Sequence, residues 1–171
     1  MKRIEKLKYK NFVALFIFGV AFGFVESVVV YYLRHLANIH QNFNVKKYHT
    51  ILNLGFIAFI KPLSPLLVSS NITNVEFIRE AATIIMLLAV SFIVSKSWKD
   101  RIGAFLIAFS VWDIFYYVFL KILTNWPSTF FTKDVYFLIP VVWVGPVITP
   151  LVISLFMFLT GSKLYLFSKS N

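Results

Sequence analysis

The first long apolar run of this sequence restricts its fold more than any other feature. Residues 12–33 contain a single charged side chain, Glu26. An α-helix of that length rises about 33 Å, enough to cross a hydrocarbon core of about 30 Å. The run follows a basic N-terminus and is roughly twice as long as the apolar part of a signal peptide, so we expect a retained membrane helix. The chain as a whole is 59% hydrophobic, with a mean hydropathy of +0.79, which predicts one transmembrane domain over residues 1–171.

Three further apolar runs predict three more membrane spans. They cover residues 75–94, 102–123 and 137–158. The last run contains Pro140, Pro146 and Pro150, which remove backbone donors and predict a kinked or partly broken helix. The expected fold is therefore an all-α integral membrane protein, a multi-pass four-helix bundle.

Residues 51–70 are also apolar, but they contain Lys61, Pro62 and Pro65. If this segment does not cross, one side of the membrane receives ten basic residues in short flanks and the other receives seven. The positive-inside tendency then places both termini in the cytoplasm. We therefore expect residues 51–70 to form a re-entrant or interfacial hairpin on the outer side, between outer loops 35–50 and 124–136. A fifth crossing is the alternative.

The formal charge of +10 comes from 17 basic and 7 acidic residues. Most basic residues flank the apolar runs, a pattern typical of topology determinants and of contacts with anionic lipids. We therefore expect membrane lipids as partners and no nucleic acid. The chain has no cysteine, which excludes disulfides, thiolate nucleophiles and iron–sulfur ligation.

Charged residues inside the predicted spans are the strongest functional signal, because a charge at the bilayer centre costs about 2.5–3.5 kcal/mol even on the lenient insertion scale. The first span contains Glu26, the second Arg79 and Glu80, and the third Asp113. At 1.5 Å of rise per residue, Glu26, Glu80 and Asp113 lie about 9, 8 and 14 Å below the outer surface. All three carboxylates can therefore belong to one site in the outer leaflet half.

Helical phase supports a shared site. Glu26 lies on the same face as Gly19 and Gly23, where small residues permit close helix contact. The predicted site is a carboxylate, arginine and tyrosine network. Its candidate catalytic residues are Glu26, Glu80 and Asp113, and its candidate substrate-binding residues are Arg34, Arg79, Tyr116 and Tyr117.

A simpler interpretation applies to part of this set. Glu76 and Arg79 are spaced i, i+3 near a helix end, so they can pair with each other or extend to the headgroups without any function. A metal is the less favoured ligand, because no predicted span contains a histidine and the three histidines fall in loop 35–50. No motif specifies a cofactor.

Three functions are compatible with these features. The favoured one is a membrane protein that binds or processes an amphipathic, lipid-like substrate with an anionic head, held by the arginines. The second is a small transporter or proton-conducting subunit, which with four spans would need to assemble as a homo-oligomer. The third is a structural subunit of a larger membrane complex, with partner membrane subunits. Neither binding nor catalysis is specified by a recognised motif.

Overall fold

The computed structural model describes residues 2–36, 48–63 and 70–167, most of which are helical. The helices are α1 (Lys2–Leu36), α2 (Ser70–Val94), α3 (Trp98–Thr124) and α4 (Ile148–Phe167). Each is long and apolar enough to cross a membrane, which supports the prediction of a multi-pass membrane protein with four such helices.

Helix α3 is the central helix of the bundle. It packs extensively against both α1 and α4 and less extensively against α2. Half of the residues in the most apolar 18-residue stretch of α3 are buried, compared with 17% in the corresponding stretches of α2 and of α4. Ser97 caps its N-terminus by accepting a hydrogen bond of 3.1 Å from the backbone N–H of Asp100. Asn125 ends it in the left-handed conformation, with a φ of 56°.

Two glycines allow α1 to approach α3 closely. A Cβ atom on Gly23 would lie 2.8 Å from the backbone oxygen of Trp112, and one on Gly19 would lie 2.7 Å from Val111. The close contact that the small residues predict is therefore found, and α3 is the partner helix. From Glu26 towards the N-terminal end of α1, the helices enclose an apolar core. Its fully buried side chains include Leu15, Leu87 and Ile107.

A four-stranded antiparallel sheet accompanies the helices. Its strands are β1 (Tyr48–Asn53), β2 (Ala58–Pro62), β3 (Lys133–Phe137) and β4 (Val142–Pro146), in the order β1-β2-β4-β3. Gly55, with a φ of +83°, lies in the β1–β2 turn. In the central pairing, Ala58 faces Val144 and Ile60 faces Val142. The sheet thus joins the segment after α1 to the connection between α3 and α4.

This sheet corrects several predictions. The fold is not all-α. The predicted hairpin is found within residues 51–63, but as paired β-strands, and residues 64–69 of the predicted segment 51–70 lie outside the described part. The predicted span 137–158 is wrong, because residues 142–146 form β4 and the fourth helix covers 148–167. Loop 124–136 contains most of β3. Of loop 35–50, His35 belongs to α1, residues 48–50 belong to β1, and residues 37–47 are not described.

The two ends of the bundle have different contacts. At one end Lys8 forms an ion pair of 3.1 Å with Asp100, and Asn11 donates to the backbone oxygen of Val94. Tyr165 of α4 donates to the same oxygen, at 3.3 Å. The beginning of α1 and the last turns of α4 therefore meet at one end, and the sheet lies at the other.

Candidate functional site

An ion-pair cluster joins α1 to α2 near the sheet end. Arg79 donates through Nη1 to Glu26 Oε2 and through Nε to Glu76 Oε2, the latter at 2.7 Å. Thr83 donates to the second oxygen of Glu26 at 2.9 Å. Glu26 and Glu76 are 6% and 7% exposed, so both carboxylates depend on these partners. The predicted i, i+3 pairing of Glu76 with Arg79 is therefore found. Arg79 also pairs with Glu26, and this bond connects α2 to α1.

Glu80 and Asp113 connect other elements to the same region. Glu80 Oε2 accepts a hydrogen bond of 2.8 Å from the backbone N–H of Leu138, just after β3. Asp113 Oδ2 accepts one of 2.7 Å from the hydroxyl of Ser154 on α4, and Asp113 is 8% exposed. These carboxylates therefore lie where α2, α3, α4 and the sheet meet.

Asp134 on β3 is a further buried carboxylate of this region, which the sequence interpretation placed in a polar loop. It is 8% exposed and accepts a hydrogen bond of 2.8 Å from Tyr117. Burial raises the pKa of Asp134 to about 6, although the Tyr117 hydroxyl and the Arg34 charge act to lower it. Lys133 and Asp134 are both polar, so the sequence has no alternating pattern that would have revealed the burial of Asp134.

Arg34 has unused hydrogen-bonding capacity. Its guanidinium lies over the ring of Trp126, 4.2 Å from the centroid, and its Nη1 is buried without a hydrogen-bond partner. The Nε1 donor of Trp112 is also buried and unpartnered. Buried donors without acceptors are rare in folded proteins and are satisfied when a ligand or water supplies an oxygen.

The buried carboxylates and both arginines, together with Thr83, Trp112 and Tyr117, line one cavity of about 180 Å³. That volume is comparable to the ~150 Å³ of cavities that hold a benzene-sized molecule. Every residue of the predicted site lines it: Glu26, Arg34, Arg79, Glu80, Asp113, Tyr116 and Tyr117. The lining residues absent from the predicted set include Trp112, Asp134, Tyr136 and Phe137.

The formal charges around the cavity do not balance. Five carboxylates, those of Glu26, Glu76, Glu80, Asp113 and Asp134, face two guanidinium groups, those of Arg34 and Arg79. Arg79 is already paired with two carboxylates, whereas Arg34 stacks on an aromatic ring. The cavity therefore has one cation available for an incoming anion and several carboxylates available as hydrogen-bond acceptors or proton carriers.

Metal coordination has no geometric support among residues 2–36, 48–63 and 70–167. No group of three histidine, aspartate or glutamate side chains in those ranges is close enough to hold a metal ion.

The chain matches no protein-family model, and no curated protein or solved structure matches it significantly.

Proposed function

We propose that this protein binds, at its outer membrane surface, an amphipathic and lipid-like molecule with an anionic head such as a phosphate or carboxylate. The observation that carries the proposal is the buried Nη1 of Arg34, which has no hydrogen-bond partner and belongs to a cavity-lining side chain. An oxyanion is the ligand group that best matches a guanidinium donor. The Nε1 of Trp112, also unpartnered, is a second donor for such a head.

The orientation follows from the distribution of basic residues. Lys6, Lys8 and Lys10 begin the first span, and Lys96, Lys99 and Arg101 lie between α2 and the second turn of α3. The positive-inside tendency assigns this end, and with it both termini, to the cytoplasm. The cavity and the sheet then belong to the extracytoplasmic side of the cell membrane, and the ligand is drawn from the outer leaflet or from outside.

Processing of the bound head would use the cavity carboxylates. Glu80 and Asp113 accept hydrogen bonds from a backbone amide and a hydroxyl, so neither is neutralised by a directly bonded arginine. They are the groups we assign to proton transfer with a ligand hydroxyl, and Glu26 holds Arg79 in place. In hydrolysis of the head group, one carboxylate would take a proton from the attacking water and the other, in its protonated form, would give one to the leaving oxygen.

Two features favour binding over conduction. The charged and tyrosine side chains of the site lie at the sheet end, and Leu15, Leu87 and Ile107 fill the core beyond them. A proton or ion path requires polar groups through the full thickness of the membrane. The apolar core therefore supports a site that a ligand enters and leaves from one side.

The test is the binding of dodecyl phosphate to the full chain in nanodiscs, measured by calorimetry against dodecyltrimethylammonium. We expect the phosphate to bind and Arg34→Gln to weaken it by about 10- to 100-fold, because a charge-assisted hydrogen bond contributes about 1.5–3 kcal/mol. Arg101→Gln is the matched control, since Arg101 lies over the ring of Phe92 at 4.5 Å but at the other end of the bundle. Preferential binding of the ammonium compound would contradict the proposal and indicate a cationic ligand for the carboxylates.

A further inference from the structure

An apolar groove of about 380 Å³ lies beside the polar cavity. Ile84 of α2 forms one wall, and Phe109 of α3 forms the floor. The other wall is a stripe on α4 at i, i+3 and i+7, made of Pro150, Ile153 and Met157. Residues of the sheet region cover the end of the groove, among them Ile57, Ile139 and Trp143.

The groove lies between two helices that scarcely touch. Within the described ranges, α2 and α4 both pack on α3 but make few contacts with each other. Both are long and apolar enough to span the membrane, so the gap between them faces lipid when the protein is embedded. Ile153 is 41% exposed, which agrees with a groove open to its surroundings.

The groove and the polar cavity are continuous. Asp113, Tyr136 and Phe137 line both of them. The Phe137 ring stacks on Phe109, with centroids 6.2 Å apart, and also contacts Trp143 at 6.1 Å. Phe137 therefore lies at the boundary between a region of charged side chains and an apolar channel, which is the arrangement that a molecule with a polar head and an apolar tail would match.

We propose that the groove between α2 and α4 holds the alkyl chain of the ligand, which enters sideways from the bilayer while its head occupies the cavity at Arg34. This inference rests on the proposed function and extends it by assigning the place of the alkyl chain and the source of the ligand, the bilayer rather than the solution. The chain lies over Phe109 and against Ile84 and Ile153. The linkage between chain and head passes Phe137.

The direct test is photo-crosslinking in phosphatidylcholine nanodiscs with dodecyl phosphate that has a diazirine at the end of its chain. The reference probe is the same diazirine alkane without the phosphate, which labels whatever faces lipid. We expect the phosphate probe to label Ile84, Ile153 and Met157 in excess over the reference probe, and not to do so at Phe156, which is 67% exposed and is not a groove residue.

Two variants on neighbouring positions of α4 make the test specific. Ile153→Trp fills the groove and should lower the labelling of the groove by about tenfold. Displacing two methylene groups of the probe from an apolar site weakens its binding by about that factor. Val152→Trp is the control, because Val152 is 44% exposed and does not line the groove. If Ile153→Trp fails to fold, the positions labelled in the unmodified protein still show whether the alkyl chain occupies the groove.

Butyl phosphate separates the two proposals, because it has the head without the long chain. If butyl phosphate binds in an Arg34-dependent manner but dodecyl phosphate labels like the reference probe, the groove inference is wrong and the proposed function stands. If neither phosphate binds, both fail. Excess labelling of the groove that disappears in Arg34→Gln supports both.

Discussion

Arg79 of α2 donates to Glu26 of α1, and this bond is a direct polar connection between two helices that otherwise pack mainly on α3. Glu26 is almost fully buried, so its charge has no solvent to replace a lost partner. The position of α2, and with it of Glu80, therefore depends on this pair.

Glu26→Gln should destabilise the protein more than Glu76→Gln. Both side chains bind Arg79, but Glu26 connects two helices whereas Glu76 lies three residues away on the same helix. We expect a loss on the order of 3 kcal/mol in the free energy of unfolding for Glu26→Gln, and a smaller loss for Glu76→Gln, whose bond to Arg79 lies within one helix. Denaturant unfolding in detergent measures both. Equal and small losses would show that the pair between helices contributes nothing.

Asp134 should make stability depend on pH. Its pKa is about 6 in the folded protein and 3.8 in the reference state, so between these values the folded state binds more protons than the unfolded state. Stability therefore falls as pH rises through this window, by about 3 kcal/mol in total. Below pH 3.8 both states are protonated and the effect is absent.

Asp134→Asn isolates this effect from other titrating groups. The amide can still accept from Tyr117 but does not titrate, so the variant should lack the Asp134 part of the slope between about pH 4 and 6. Thermal melting in detergent at several pH values, with the two proteins compared directly, measures the difference. Parallel profiles for the two proteins would rule out the raised pKa of Asp134.

Gly23→Ala should separate α1 from α3. The added Cβ would lie 2.8 Å from the backbone oxygen of Trp112 and 2.9 Å from the backbone nitrogen of Tyr116, and backbone atoms cannot move aside cheaply. Overpacking of this kind costs about 1–3 kcal/mol. Ala21→Val is the control, because Ala21 is exposed on the same helix. A thermal shift of the same size for both variants would contradict the close contact.

The orientation can be tested with single cysteines, because the chain has none of its own. Lys61→Cys and Lys133→Cys, both at exposed positions of the sheet, should react with an impermeant maleimide added outside intact cells. Lys99→Cys, exposed at the other end, should react only after the membrane is opened. Labelling of Lys99→Cys from outside would reverse the orientation and place the cavity on the cytoplasmic side.

The helices could be predicted from sequence because hydropathy over about 20 residues is a strong signal. The sheet could not, because a short and fully apolar strand has the same composition as part of a buried helix. Residues 137–147 illustrate this: Phe137 ends β3 and Val142–Pro146 forms β4, yet the run appears as the start of a span. A hairpin was expected for residues 51–70, but its pairing with β4 could not be predicted, because that pairing joins segments far apart in the sequence.

The clustering of the charged residues could be predicted from sequence, whereas the sheet could not. The charged residues in the spans are costly there, and helical phase placed them on inward faces, so the seven predicted residues do line one cavity. Asp134 and Tyr136 were not predicted because they reach the cavity through strand pairing, which requires the sheet.

Native mass spectrometry of the protein extracted gently from its own membrane tests the central claim most directly. The unmodified chain and Arg101→Gln should retain a bound molecule with the mass of an anionic lipid, and Arg34→Gln should lose it while keeping its fold by circular dichroism. A bare chain in all three preparations, or a bound lipid that Arg34→Gln retains, would contradict the account.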